Sequence, residues 1–137
     1  MIVYLDTSVP LRVLLRQSDA MTDWDRWREG FSSALLGVEA RRTIDRFRRE
    51  RYFDDERVAR AHEALLDIEG RIRTIEITPR VLARAAGPMP TTVKTLDAIH
   101  IASALLLAER SSEEVIFATH DHQQTLAARA LGFRVVG

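Results

Sequence analysis

Four acidic side chains in this 137-residue chain, Asp6, Glu39, Asp97 and Asp121, stand at the edges of segments that should otherwise be buried. Asp6 ends the strand-like run Ile2-Val3-Tyr4-Leu5, and Asp121 follows a second such run, Val115–Ala118. Asp97 opens a nearly all-apolar helical stretch, while Glu39 flanks the apolar stripe of another helix. Carboxylates in such places are costly to bury without a positive partner. None of the four has Lys or Arg as its immediate neighbour, which makes a divalent cation the natural counter-charge. Oxygen donors of this kind suit a hard cation, Mg2+ or Mn2+, and such a cation suits phosphoryl-transfer chemistry. Taken singly, each acid also has a plainer role. Asp6 and Asp121 can cap the helices that follow them, Asp97 can interact with its own helix dipole, and Glu39 can be a surface carboxylate.

The elements that must position these acids alternate between strand and helix. After the first strand, Asp6-Thr7-Ser8 leads into a helix over 9–15, with Thr7 or Ser8 as its cap and Pro10 tolerated in its first turn. A second short helix is expected over 22–29, stopped by Gly30, then a weak strand over 31–34. Long amphipathic helices follow over 35–51 and 54–70, the first with Leu36, Ala40, Thr43 and Phe47 on its inner face. A strand over 71–77 and a helix started by Thr78-Pro79 precede the loop Gly87-Pro88-Met89-Pro90. The most apolar helix spans 95–109, with only Asp97 and His100 interrupting its hydrophobic surface near the start. A strand over 115–119, a helix over 122–131 stopped by Gly132, and a last strand over 133–136 complete the chain. Strands separated by helices predict a parallel α/β sheet covered on both faces, within one domain spanning 1–137. In such sheets ligands bind beyond the carboxyl ends of the strands, where Asp6 and Asp121 fall.

Composition narrows the function classes. Cysteine is absent, which excludes disulfides, zinc–thiolate sites and thiol catalysis. No apolar run approaches the roughly 20 residues of a membrane span, and no basic segment precedes the first strand, so a cytoplasmic protein without membrane partners is expected. Formal net charge is zero, so binding to nucleic acid must come from a local patch or a metal.

The ordered set of segments resembles the PIN-domain nucleases, and among them the VapC toxins of bacterial type II toxin–antitoxin pairs. Ile2-Val3-Tyr4-Leu5-Asp6-Thr7-Ser8 is similar to that family's first motif, and Ser33-Ala34-Leu35-Leu36-Gly37-Val38-Glu39 to its second. Leu96-Asp97-Ala98-Ile99-His100-Ile101-Ala102-Ser103-Ala104-Leu105 matches the third most specifically, and Phe117-Ala118-Thr119-His120-Asp121 resembles the last. The resemblance implies a three-layer sandwich around a mainly parallel five-stranded sheet, with the first and fourth strands adjacent and Asp6 beside Asp121. It implies an endoribonuclease dependent on Mg2+ or Mn2+, in which metal-activated water cleaves RNA to 5′-phosphate and 3′-hydroxyl ends. Asp6 and Asp97 would be the chief ligands, with Glu39 and Asp121 completing the site. Thr7, Ser8 and Thr119 would orient carboxylates or phosphate, and His100 would pack and hydrogen-bond beside the site without moving protons. A cognate antitoxin, an RNA substrate and a homodimer are the partners it implies. His120 and His122 beside Asp121, and the long spacer containing residues 110–114, depart from the family pattern.

Two further features invite partner readings. Nineteen of the twenty basic residues are arginine, and Arg41, Arg42, Arg46 and Arg49 share one helix, either as a solvated face or as a surface tracking RNA phosphates. Trp24 and Trp27, three apart with Asp23 and Asp25 around them, either pack in the core or leave one ring exposed to anchor an antitoxin. A PIN-like RNA- or protein-binding module without catalysis is the alternative to the nuclease.

Overall fold

The computed structural model describes residues 2–22, 24 and 26–137. Its first strand, β1 (Ile2–Leu5), is buried along its whole length, as a run of β-branched and large apolar residues requires at the centre of a sheet. The helix α1 (Ser8–Leu14) follows, then β2 (Gly30–Ser33), α2 (Leu35–Arg49), α3 (Asp55–Arg71), β3 (Arg73–Ile75) and α4 (Pro79–Ala85). The chain continues through α5 (Thr95–Arg110), β4 (Val115–Ala118), α6 (His122–Ala130) and β5 (Arg134–Val136).

All four strand pairings are parallel, in the order β3-β2-β1-β4-β5. The chain therefore winds outward from β1 through β2 and β3, then returns to the other side of β1 for β4 and β5. That reversal opens a crevice beyond the carboxyl ends of β1 and β4, the place where parallel sheets hold ligands. Ile2 to Leu5 pair with Val115 to Ala118, which brings the residues after each strand together.

Alternation along β1 sends neighbouring side chains to opposite faces. Val3 and Leu5 join Val9, Leu36, Ala40, Ile44 and Leu65 under α1, α2 and α3, whereas Ile2 and Tyr4 join Ile101, Ala104, Phe117 and Ala127 under α5 and α6. Helices thus cover both faces of the sheet, and α4 is fastened to α5 through Val81, Ile99, Ala102 and Leu106. Asp54, Thr78 and Asp121 cap α3, α4 and α6, accepting from the backbone N–H of Arg57, Val81 and Gln124. No helix among the described residues is long and apolar enough to cross a membrane.

Two expectations fail between α1 and β2. No helix forms over the described residues of 22–29. The segment is rich in weak helix formers, and Trp24 drops into the core against α1 and α2, fixing a loop. Gly30 consequently stops no helix; it is the first residue of β2, paired with Val3. Asp23 and Asp25 lie outside the described residues. The strand expected over 71–77 is also shorter, because α3 runs on to Arg71. Thr7 occupies the N-cap position of α1 without capping it through its side chain.

Candidate active site

Asp6 leaves the end of β1 almost fully buried. Its Oδ2 accepts from the backbone N–H of Ser8 at 3.0 Å, so it performs the turn-capping role available to it from sequence. Thr119 Oγ1, at the end of β4, lies 3.3 Å from the same oxygen and accepts from the Asp121 N–H at 3.0 Å. Asp121 in turn caps α6 through Oδ1. Ser8 Oγ accepts from the His120 N–H at 3.0 Å, tying α1 to the loop after β4. Asp6 and Asp121 therefore face one crevice through a common set of hydroxyls.

Glu39 reaches the same region from the first turns of α2. Its Oε1 accepts from Thr7 Oγ1 at 2.8 Å and lies 2.7 Å from His100 Nε2. Thr7 does not cap α1 because its own backbone is helical, with φ −56° and ψ −28°, where a capping residue is extended. His100 is completely buried, with Nδ1 2.8 Å from the Tyr4 hydroxyl and Nε2 3.6 Å from Asp6 Oδ1. Burial opposes its charge, but the Glu39 hydrogen bond and the charges of Asp6, Glu39 and Asp97 outweigh that cost, so its pKa stands above the ordinary histidine value. Tyr4 is held neutral, its pKa pushed well up by burial and then by the Asp6 charge.

Asp97 enters from the first turn of α5. Burial, then the charges of Asp6 and Asp121, raise its carboxyl from the ordinary value to about 6, against a lowering by His100. No Lys or Arg among the described residues forms an ion pair with any of the four acids; His100 alone does so, with Asp6 and Glu39. The crevice is thus a concentration of negative charge built from hard oxygen donors, which fits a divalent cation. Among the described residues no three His, Asp or Glu side chains are already gathered as a ligand set. A neutral amide, that of Gln124, lies between Asp6 and Asp97.

The PIN domain family profile matches residues 3–129. The chain belongs to the PIN-domain family. Among curated relatives of this PIN domain, Ribonuclease VapC46 from Mycobacterium tuberculosis (strain ATCC 25618 / H37Rv) is 32% identical over 138 residues, covering 98% of this chain and 95% of the relative. Ribonuclease VapC47 from Mycobacterium tuberculosis (strain CDC 1551 / Oshkosh) is 29% identical over 141 residues, covering 96% and 93%. The chain is therefore a PIN domain of the VapC type. Among solved structures, VapBC2 from Rickettsia felis, bound to a DNA fragment from their promoter, shares the fold with a TM-score of 0.65 at 11% identity, over 99% of this chain and 98% of that one.

Within this PIN domain the four acids, Thr7, Ser8, Thr119 and His100 all meet at one edge of the sheet, joined by the contacts above. The arginine face of α2 is different. Arg41 makes two hydrogen bonds to Glu69, Arg42 and Arg49 pair with Asp45, and the Arg46 guanidinium lies over the Phe47 ring. Asp45 on α2 and Glu69 on α3 thus meet part of this charge, while all four arginines keep a solvated face. Trp24 is only 8% exposed, so its ring offers no free surface to a partner; Trp27 is partly buried against the same core. His120 is partly buried and His122 exposed, each beside Asp121. Burial, then the Arg12 charge, lowers the His120 pKa.

Sequence reasoning missed Gln124. It is fully buried, and its amide touches both Asp6 and Asp97. The signal was the spacing Asp121-x-x-Gln124, a helix-start pattern in which the glutamine ordinarily reaches back to the capping residue's N–H. Here Thr119 Oγ1 takes that N–H instead, which frees the glutamine to turn inward.

Proposed function

We propose that the chain is a divalent-cation-dependent endoribonuclease acting as a VapC-type toxin, restrained by a cognate antitoxin. The observation that carries this reading is the set of four carboxylates at the switch point of a parallel sheet, with no Lys or Arg counter-charge among the described residues. Ribonuclease-named relatives at about 30% identity support the RNA substrate, and the likeness to VapBC2 supports the antitoxin partner.

Asp6 and Asp97 would hold Mg2+ or Mn2+, with Glu39 and Asp121 completing the site. The bound cation supplies an activated water and charge stabilisation for the phosphodiester. The chain's own residues do the positioning. Thr7 and His100 fix Glu39 from two sides, and His100 is itself fixed by Tyr4. The Ser8 N–H orients Asp6, with Thr119 Oγ1 packed 3.3 Å from the same carboxylate oxygen, while the Gln124 N–H orients Asp121. His100 is enclosed among these partners, which suits a fixed hydrogen-bonding post and not a group that meets substrate. Asp97, the least enclosed of this network's central pair, keeps Oδ2 without a hydrogen-bond partner among the described residues.

The test compares wild type and Asp97→Asn on total RNA with Mg2+, Mn2+ or EDTA. Discrete products from wild type alone, abolished by EDTA and carrying 5′-phosphate ends, are expected. Cleavage that survives EDTA, or equal cleavage by both proteins, would overturn the reading.

A further inference from the structure

We infer that Gln124 is a positioning residue whose side-chain amide sets the spacing of the Asp6 and Asp97 carboxylates for a divalent cation. This inference rests on the metal-nuclease reading and assigns to it a residue outside the acidic set.

The side chain is completely buried, and an amide in that setting is costly unless all its polar atoms are paired. Every one is. Nε2 donates to Asp6 Oδ1 at 3.1 Å and to Asp97 Oδ1 at 3.2 Å, one N–H for each carboxylate. Oε1 accepts from Thr119 Oγ1 at 2.8 Å. The opposite amide orientation would set Oε1 against two anions, so the network itself dictates which end faces the acids.

The chemistry at this position is narrow. Lysine or arginine would supply a full positive charge in competition with a cation, and glutamate would add a further negative charge to the crevice. Methionine has a similar length and no donor. A primary amide offers two hydrogens at a fixed angle, binds two carboxylates at once and leaves the net charge of the site unchanged. It also occupies only one oxygen of each acid. Asp6 and Asp97 are 91 positions apart on different elements, and Gln124 on α6 bonds directly to both side chains. Outer partners that orient metal-binding carboxylates typically govern affinity by about 10- to 100-fold.

The experiment is a Mn2+ titration by calorimetry on EDTA-stripped, desalted protein, with circular dichroism and a melting curve recorded for each variant. Gln124→Met should keep the fold and weaken Mn2+ binding by about 10- to 100-fold. Gln124→Leu, a second side chain without a donor, should weaken binding in the same direction. A lowered melting temperature with Mn2+ affinity within about twofold of wild type would reduce Gln124 to a packing role and overturn the inference. Should Gln124→Met fail to fold, Gln124→Leu decides, and Mn2+ affinity within about twofold of wild type would overturn it. Absence of Mn2+ binding by wild type would defeat the metal-nuclease reading itself and this inference with it, a result visible in the wild-type arm alone.

Discussion

Replacing Asp97 by asparagine should stabilise the metal-free protein while removing its activity. Burial, followed by the charges of Asp6 and Asp121, raises this carboxyl from 3.8 to about 6. At about 1.4 kcal/mol per pKa unit the shift corresponds to roughly 3 kcal/mol of strain in the ionised form. Asp97 is only half-buried, so solvent screening reduces that to about 1–2 kcal/mol. The substitution also removes an acid from the first turn of α5, a loss of about 0.5 kcal/mol. The oxygen of the introduced amide would still accept from Gln124. The net gain is therefore about 1 kcal/mol near pH 7.5, or about 3 °C in melting temperature for a chain of this size.

The sign of the pH dependence follows from linkage. Between the unfolded value near 4 and the folded value near 6, the folded state binds more protons than the unfolded state, so wild-type stability from this group falls as pH rises through that window. Asp97→Asn escapes the fall. Its advantage should be full above about pH 6 and should close as pH is lowered towards 4. Urea unfolding in EDTA at several pH values measures this directly. An Asp97→Asn protein no more stable than wild type at pH 7.5, or an advantage that does not shrink in acid, would refute the reasoning.

His100→Asn should cost about 2–4 kcal/mol, because Tyr4 and Glu39 each lose a partner in a site closed to water; urea unfolding checks it. The raised His100 pKa adds stability that is complete below the unfolded value near 6.5 and is lost as pH rises through the folded value above it, so wild type should lose this increment on that rise and His100→Asn should not. Ile44→Ala, which empties a fully buried position under α2, should cost about 2–5 kcal/mol by the same measurement.

The strands and long helices were legible because their periodicities are strong and their ends carry local signals, as at Asp54, Thr78 and Gly132, where φ is +93°. Asp6, Glu39, Asp97 and Asp121 stood out because each is a charge at the edge of an apolar segment. The stretch over 22–29 misled because tryptophans three apart mimic a helical face, while burial of Trp24 was decided by tertiary packing. Gln124 escaped notice for a related reason. A neutral polar residue in a modestly amphipathic helix carries no sign of burial, and its partners are 118 and 27 positions away. Spacing alone points to a local contact with the capping residue; the competing Thr119 hydroxyl, arriving from the end of β4, redirects it.

The order of the strands has a bearing on timing. β1 is made before the other four strands, but the neighbour that completes the crevice on its other side is β4, more than 100 residues later. Asp6 until then has neither Thr119 nor Gln124 beside it, and Asp97 lacks the Gln124 amide that joins it to Asp6. A nascent chain therefore has its four acids unassembled until β4 and α6 have been made. Under the nuclease reading, that order keeps the activity from assembling until β4 and α6 have cleared the exit tunnel.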